Sequence, residues 1–596
     1  MKNKNQFLKA LIEQMQITID TDLDCAIYMY YFGGDMAVPE INRLINKYIP
    51  EIAPEKIDIF LRKTKDDINL FLSKIKLDIN SLNEKERDIT SLVQEFLSEY
   101  FIISSGKIRE YMRLPEIAEF RSVAPVNSAI TAPVYIGNEY SENESENPYL
   151  KTLNFDHPYP LRADETGALK TSELLFLNFI NNINDSINSN YEKLPQGFKY
   201  PVFITIGTTE REIAEKSENW LRSLIKQNCR TENIELFYIT QSFFDKVFHE
   251  IILPDIKCCE PKIQEYIMSI YETGLCSYPN IRNFSELFIA IFLKAKYPEE
   301  LCGIIEVDED QLVEKEYCEL LKKRGNSFLT LGLNGLGSLL SNGKTLSYQS
   351  GEYYKYNSGL KIEEAIFNSD VSASKELNVE FFYQKNNLYG KTIEILNELN
   401  SESSESYRHP CARGGLIFSL ADSLLKHPVF CYDKITRGED TARFITMFGE
   451  TNEELRFIPM LKMAHNQSKS LKKLMKSKSA DVAGVIKTFM SDIKRWKLKK
   501  EILKYYRRIG RQFKSNFAPY PAGMLDNIEA RINLTVLLKL FSEQLFDKKI
   551  ELIKEWIITD EYVRNCNVDK NYPLFLESMQ IVADKLLIKD IGAYFE

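Results

Sequence analysis

The chain has 596 residues, enough for two to four domains, and its content of 44% hydrophobic and 27% charged residues is ordinary for a globular protein. The formal net charge of -9 argues against a molecule that coats nucleic acid or an anionic membrane over its whole surface. No apolar run is long enough for a transmembrane helix, and the ten scattered cysteines include no Cys-x-x-Cys pair. These features predict a cytoplasmic protein with reduced thiols.

The first two segments of the chain differ in pattern. Residues 1–115 carry apolar side chains at helical spacing, which predicts a helical N-terminal region. Residues 116–198 include a stretch rich in Ala, Pro and Val at 122–134 and an acidic run at 141–147. That composition predicts a connector that wraps onto the following domain.

A strand–helix–strand pattern begins at residue 199. Residues 200–206 form an apolar run that ends in a turn at Gly207, residues 210–227 have an amphipathic helical pattern, and residues 234–239 form the next apolar run. A crossover of this length joins parallel strands. The pattern therefore predicts an α/β fold, Rossmann-like with a mostly parallel sheet.

Two carboxylates follow a later apolar run. Residues 301–307 are predicted to form a buried strand, and Asp308 and Asp310 stand at its end. If the strand continues through them, both side chains point the same way, because positions two apart share a face. Two converging carboxylates repel unless a cation lies between them, and Mg²⁺ or Mn²⁺ carrying phosphate oxygens is the usual partner. The alternative is a solvated acidic turn.

Other polar signals follow in the same part of the chain. They are Arg282 and Asn283 at the start of a helix after Gly274, the turn Arg413–Gly414–Gly415, the helix start Arg437–Gly438–Glu439–Asp440, and His465, which comes four residues after a predicted strand at 455–461. Asp440 suits a helix cap. His465 suits a surface position.

The C-terminal region, 471–596, is predicted to be helical and basic at its start. Between Lys469 and Lys514 there are 16 Lys and Arg and 3 Asp and Glu, a net charge of 16 − 3 = +13, with aromatic residues interleaved. The stretch is either a solvated helix face or a contact for an anionic acceptor, a lipid headgroup or a diphosphate. No nucleic-acid-binding fold accompanies it, so nucleic acid is not an expected partner.

The order of these elements resembles the GT-A glycosyltransferases, in their family-2-like branch. The elements are the strand that ends in Gly207-Thr-Thr209, the Gly274 loop with Arg282–Asn283, the Asp308–Asp310 pair, and the Gly414–Gly415 and Glu439–Asp440 segments. The resemblance covers residues 199–470. It implies a GT-A catalytic domain there.

The resemblance also implies roles for individual residues. The nucleotide sugar, a UDP- or GDP-sugar, would contact Thr205, Gly207, Thr208, Arg282, Asn283, Asp308, Gly414 and Gly415. Asp308, Asp310 and His465 would hold Mn²⁺ or Mg²⁺, and one imidazole ligand favours Mn²⁺. Asp440 and Glu439 would be the catalytic carboxylates on the acceptor side, and Arg413 and Arg437 could contact phosphate or acceptor.

Three departures from the family pattern keep other functions open. The first-strand turn of the family usually carries a Pro and polar residues, whereas this turn is Gly207-Thr-Thr-Glu210. The second strand usually ends in an Asp that reads the base, whereas Thr240-Gln-Ser242 follows here, and Glu306 interrupts the apolar strand. We expect a metal-dependent transferase that moves a sugar to a hydroxyl acceptor on a glycan, glycolipid or protein. Contact with a membrane surface is expected, if anywhere, through residues 469–514. The alternatives are a non-catalytic sugar-nucleotide-binding scaffold and a nucleotidyltransferase.

Overall fold

The fold is taken from a computed structural model of the chain. It describes residues 26, 30, 38–47, 49–50, 52–74, 114–138, 159–161, 175–190, 194–355, 407–408, 416–430, 453–465, 497–498, 501, 505, 546–589 and 591–594. The α/β class that the sequence predicts is confirmed, because helices cover a large mixed sheet.

Twelve strands in the described part of the chain join one sheet. They are β1 Ile117–Glu119, β2 Ser128–Asn138, β3 Tyr159–Leu161, β4 Tyr200–Thr208, β5 Ile234–Ile239, β6 Gly303–Glu306, β7 Gln311–Leu312, β8 Leu339–Leu340, β9 Thr345–Lys355, β10 Tyr407–Arg408, β11 Ile417–Leu420 and β12 Glu453–His465. The main order is β1-β8-β9-β11-β6-β2-β4-β5, β3 pairs with β2, and β12 pairs with β7, β9 and β10.

The centre of the sheet is parallel. Strands β5, β4, β2 and β6 lie side by side in one direction, and β11 then runs antiparallel to both β6 and β9. The chain passes from β2 to β4 and β5 on one side and returns to β6 on the other side of β2. The order of the strands therefore reverses between β2 and β6.

Strand β2 is the largest difference from the sequence prediction. The sequence analysis put these residues in a connector, because an alanine- and proline-rich run suggests a loop. In the structure, Ile130 pairs with Val202 of β4 on one side and with Ile305 of β6 on the other. Most of β2 is buried, including Ala129 and Ala132, whose small side chains leave room for neighbouring elements. The boundary placed at residue 199 thus does not coincide with an edge of the sheet.

Helices cover both faces of the sheet. They are α1 Val38–Asn46, α2 Pro54–Lys74, α3 Leu175–Asn190, α4 Ala214–Asn228, α5 Gln241–Val247, α6 Leu253–Ile256, α7 Pro261–Thr273, α8 Tyr278–Lys296, α9 Lys315–Lys323, α10 Phe328–Leu333, α11 Ala421–Lys426, α12 Phe546–Cys566 and α13 Val568–Ile588, with a π-helical turn at Phe248–Ile252 between α5 and α6 and 3-10 turns at Pro125–Asn127, Arg211–Ile213 and Ile591–Tyr594. Within the described segments, no helix combines the length and the apolar character needed to cross a membrane.

Two hydrophobic cores follow from the alternation of side chains along the strands. Ile304 of β6 belongs to one core with α8 and α13, and the next residue, Ile305, belongs to the other core with α3 and α4. Both faces of the central strands are therefore buried, which agrees with their nearly continuous apolar sequence. The C-terminal helix α13 is part of the first core rather than a separate unit.

Candidate functional site

The candidate site lies where strand order reverses, at the carboxyl ends of β2 and β6. In open α/β sheets, ligands bind at such a point, since the loops that leave the two strands diverge and open a crevice. Helix α8 begins at the same edge, after a turn at Gly274 and Leu275. The carbonyl of Leu275 accepts a hydrogen bond from the N–H of Thr208 at the end of β4. The acidic turn after β6 therefore lies beside the start of α8.

The start of α8 is fixed by side-chain hydrogen bonds. Ser277 is the N-cap, and its hydroxyl accepts from the N–H of Asn280 at 3.4 Å. Asn280 donates in turn to the carbonyl of Gly274 at 3.0 Å. Gly274 has φ of 53°, and a Cβ there would lie 2.5 Å from the Gln241 side chain, so only glycine fits. This packing sets the direction in which Arg282, the fifth residue of α8, points.

Arg282 reaches the acidic turn. Its Nη2 donates to Oδ1 of Asp308 at 2.9 Å, and its Nη1 lies 3.7 Å from Oε2 of Glu306. The side chains of Arg282 and Glu306 are 6% and 0% exposed, while that of Asp308 is 27% exposed. One buried guanidinium thus joins a buried carboxylate on the strand to a carboxylate at the open edge.

Asp308 is also held by its own turn. Its N–H donates to Oε1 of Gln311 at 3.2 Å, and Nε2 of Gln311 donates to its Oδ2 at 3.3 Å. Strand β6 ends at Glu306, so Asp308 and Asp310 lie in a turn and not on a strand. The prediction that strand alternation aligns the two carboxylates is therefore wrong, although both still follow the same buried strand.

The other acidic residues of this turn lie near β3. Burial raises the pKa of Tyr159 well above its ordinary value, and the negative charges of Glu309 and Asp310 raise that pKa further. The phenol therefore lies in the field of both carboxylates. Since β3 pairs with the end of β2, the acidic turn is next to the carboxyl ends of β2 and β6 together.

His465 is the last residue of β12 and lies opposite Gln311 in the antiparallel β7–β12 pair. The sequence analysis ended that strand at residue 461, four residues too early. Gln311 is in turn hydrogen-bonded to Asp308, so this one residue connects the backbone of His465 to the acidic turn. The structure thus places the backbone of His465 at the same edge as Asp308. Its side chain lies outside the described atoms, and its role as a metal ligand stays a prediction.

Three predicted nucleotide contacts lie on β4. Thr205 is fully buried, and its hydroxyl is hydrogen-bonded to that of Ser285 on α8 at 2.5 Å. Thr208 Oγ1 lies 3.8 Å from Sγ of Cys276, and Gly207 is buried beside it. These contacts fasten α8 to the sheet. The part of Thr205, Gly207 and Thr208 in nucleotide binding remains a prediction.

Asn283 connects α8 to the segment after α11. Its Nδ2 donates to the carbonyl of Val429 at 2.8 Å, and its Oδ1 accepts from the N–H of Val429 at 2.7 Å. Both polar atoms of the buried amide are thus used within the chain. The predicted contact of Asn283 with the donor remains a prediction.

Six predicted residues lie outside the part of the chain that the structure describes. They are Arg413, Gly414, Gly415, Arg437, Glu439 and Asp440. Strand β11 begins just after the first three of them, and its Ile417 pairs with Glu306 of β6. The register therefore places the start of β11 beside the acidic edge.

The residues at this edge suit a cation that arrives with phosphates. Among the described residues, no group of three or more His, Cys, Asp or Glu side chains is arranged to hold a metal ion. Mg²⁺ is seldom bound by such a group, because one or two carboxylates together with substrate phosphates and water complete its octahedron. Asp308 and Asp310 are two carboxylates of one turn, and Arg282 is already hydrogen-bonded to the first of them.

Sequence reasoning missed three residues of this site, namely Glu306, Gln311 and Tyr159. A signal existed only for Glu306, a carboxylate inside an apolar run, which buried strands rarely contain without a partner. Gln311 and Tyr159 come from a turn and a short strand whose neighbours are set by tertiary contacts.

No protein-family model matches this chain, and no curated protein matches its sequence. The functional reading therefore depends on the sheet order and on the residues at its acidic edge.

Proposed function

We propose that this chain is a GT-A glycosyltransferase of the family-2-like type. It moves a sugar from a UDP- or GDP-sugar to a hydroxyl acceptor with the help of Mn²⁺ or Mg²⁺. The observation that carries the proposal is the position of the Asp308 turn. It lies where the strand order reverses between β2 and β6, and the buried Arg282 orients its first carboxylate.

The chemistry of the leaving group suits these side chains. A nucleoside diphosphate departs with negative charge, and a divalent cation on its oxygens lowers the barrier by several kcal/mol. Asp308 and Asp310 would hold that cation, with His465 as a further ligand. Asp440 or Glu439 would accept the proton of the acceptor hydroxyl, and Gly414–Gly415 would lie along the acceptor. Arg282 holds the carboxylate of Asp308 in place through its hydrogen bond to Oδ1.

One observation favours a second candidate, a non-catalytic sugar-nucleotide-binding protein. The guanidinium of Arg282 already neutralises part of the charge of Asp308. A site that binds a nucleotide through Arg282 alone would not need a cation. The two candidates differ in whether Mn²⁺ is required for binding and whether the donor is turned over.

The test is a titration of the full chain with UDP, GDP and their sugars, with and without Mn²⁺, followed by product analysis. We expect the nucleotides to bind more tightly when Mn²⁺ is present. Asp308→Ala and Asp310→Ala should each reduce this Mn²⁺-dependent affinity by about 100-fold or more, because each removes a carboxylate from the cation. Asp584→Ala, an exposed carboxylate on α13, serves as the control and should bind as the wild type does.

The outcomes separate the candidates. Binding that is independent of Mn²⁺, without donor breakdown, supports the scaffold. Release of pyrophosphate instead of a nucleoside diphosphate indicates a nucleotidyltransferase. No binding to any donor or nucleotide in the panel contradicts the proposal.

A further inference from the structure

We propose that Glu306 is a positioning residue that sets the affinity of the acidic turn for a divalent cation. Its carboxylate neutralises part of the positive charge of Arg282, and Asp308 keeps correspondingly more negative charge for the cation. The inference rests on the proposed function, since it assigns the cation to Asp308 and Asp310. It concerns a buried strand residue that has no direct contact with a ligand.

The geometry makes Arg282 a shared cation. Its two terminal nitrogens address different carboxylates, Nη2 that of Asp308 at 2.9 Å and Nη1 that of Glu306 at 3.7 Å. Glu306 is fixed on both sides, because its strand neighbours are Thr131 of β2 and Ile417 of β11. The guanidinium is shared, and the balance between its two carboxylates decides how much negative charge Asp308 can offer to a cation.

The charge of Glu306 is poorly explained by stability alone. A buried ion pair is costly to desolvate, and well-packed apolar residues serve stability equally well. The residues before it on β6, Ile304 and Ile305, are apolar and completely buried. A carboxylate at the next position is therefore better explained by what it does to Arg282 and, through it, to Asp308.

The consequence has a definite sign. Removal of the charge of Glu306 takes one carboxylate away from Arg282 and makes the edge more positive by one charge. Both effects weaken the binding of a divalent cation. Neighbouring side chains that hold metal ligands in place typically change metal affinity 10- to 100-fold when mutated. We expect the lower end of that range, about tenfold, because Glu306 acts through another residue.

The experiment measures Mn²⁺ binding to the full-length protein in the presence of UDP or GDP by the electron paramagnetic resonance signal of free Mn²⁺, with a protein-free nucleotide blank as reference. Glu306→Gln should raise the dissociation constant about tenfold. The double variant Glu306→Gln/Arg282→Gln removes one negative and one positive charge, and it should return the constant to within about threefold of wild type. A purely structural role would not give this recovery, since the double variant removes more interactions than the single one.

Glu454→Gln is the matched control. Glu454 is a buried carboxylate with a lysine, Lys344, at 3.8 Å, and it lies at the opposite end of β12 from His465. Glu454→Gln also removes one buried negative charge, and it should leave Mn²⁺ binding unchanged. Thermal unfolding of each variant shows whether it is folded, and the double variant keeps the test valid if Glu306→Gln does not fold.

Two results would overturn the inference, namely a folded Glu306→Gln that binds Mn²⁺ as the wild type does, or a double variant at least as weak as the single one. If the single variant does not fold, a folded double variant that binds Mn²⁺ about tenfold more weakly than wild type also overturns it. Failure of the proposed function looks different. In that case the wild type binds no Mn²⁺, or Asp308→Asn binds it as well as the wild type does.

Discussion

Asn283 illustrates how a single side chain can be read in two ways. Its position beside Arg282 suggests contact with a nucleotide, whereas both of its polar atoms bond to the backbone of Val429. A buried amide that satisfies a backbone N–H and C=O at once is a strong local constraint. We therefore expect its main effect to be on stability.

Asn283→Ala should lower the free energy of unfolding by about 2 kcal/mol, because it leaves the buried N–H and C=O of Val429 unbonded. Urea unfolding followed by far-ultraviolet circular dichroism measures this. Asn228→Ala, which removes an exposed amide that bonds only to its own helix, is the control and should change little. A large loss of nucleotide affinity at unchanged stability would instead assign Asn283 to the ligand.

At the level of residues, the sequence indicated the acidic pair and Arg282 but not how they meet. Arg282 and Asp308 are 26 positions apart and come together because α8 crosses the sheet above β6. The alternation argument for Asp308 and Asp310 failed because the chain turns after Val307, where Gln311 N–H bonds back to the carbonyl of Asp308. Local turn chemistry of this kind is not visible in apolar periodicity.

At the level of elements, the β4–α4–β5 crossover is confirmed and β2 was missed. The crossover has clear signals, a fully buried apolar strand on one side and an amphipathic helix in the middle. Strand β2 contains Pro133 and small residues, which usually mark a loop. It is a central strand because tertiary pairing to β4 and β6 outweighs local propensity.

The pairing of β9 with β12 depends on one glycine. A Cβ at Gly351 would lie 2.3 Å from the carbonyl oxygen of Leu461, where the register between the strands shifts. Backbone cannot move aside as a side chain can. This contact keeps β12 close enough for His465, at its end, to reach the acidic edge.

Gly351→Ala should therefore destabilise the protein by about 3 kcal/mol through overpacking and should increase hydrogen exchange in β12. Thermal unfolding and exchange measured by mass spectrometry are the readouts. Gly325→Ala is the control. A Cβ there meets nothing within 4 Å, so only its positive φ of 70° is penalised, by about 1 kcal/mol. Equal losses of stability in the two variants would mean that the register shift between β9 and β12 accommodates the added methyl group without strain.

At the level of the whole molecule, the N-terminal and C-terminal helices meet. Phe60 of α2 packs edge-on against Trp556 of α12, with ring centroids 4.8 Å apart. Lys497 lies above the same indole at 4.0 Å and is only 3% exposed. One lysine of the basic stretch at 469–514 is therefore buried inside the protein and is not offered to an anionic partner.

Asp560 holds this junction together and should make it sensitive to acid. Lys63 and Lys497 each donate to Oδ1 of Asp560 at 2.9 Å. Burial alone would raise the pKa of Asp560, but the two lysines outweigh it and lower that pKa from 3.8 to about 2. Because the folded pKa is the lower one, the stabilisation is complete above about pH 4 and is lost as the pH falls toward 2.

Asp560→Asn should therefore reduce the free energy of unfolding by about 2 kcal/mol at pH 7, and the difference from wild type should shrink as the pH is lowered from 4 to 2. Trp556 lies at the junction, so urea unfolding followed by tryptophan fluorescence reports on it directly. Asp255→Asn removes an exposed ion pair with Lys585 and should change the unfolding little. A difference between wild type and Asp560→Asn that stays constant from pH 7 to pH 2 would show that the charge of Asp560 does not hold the two helices together.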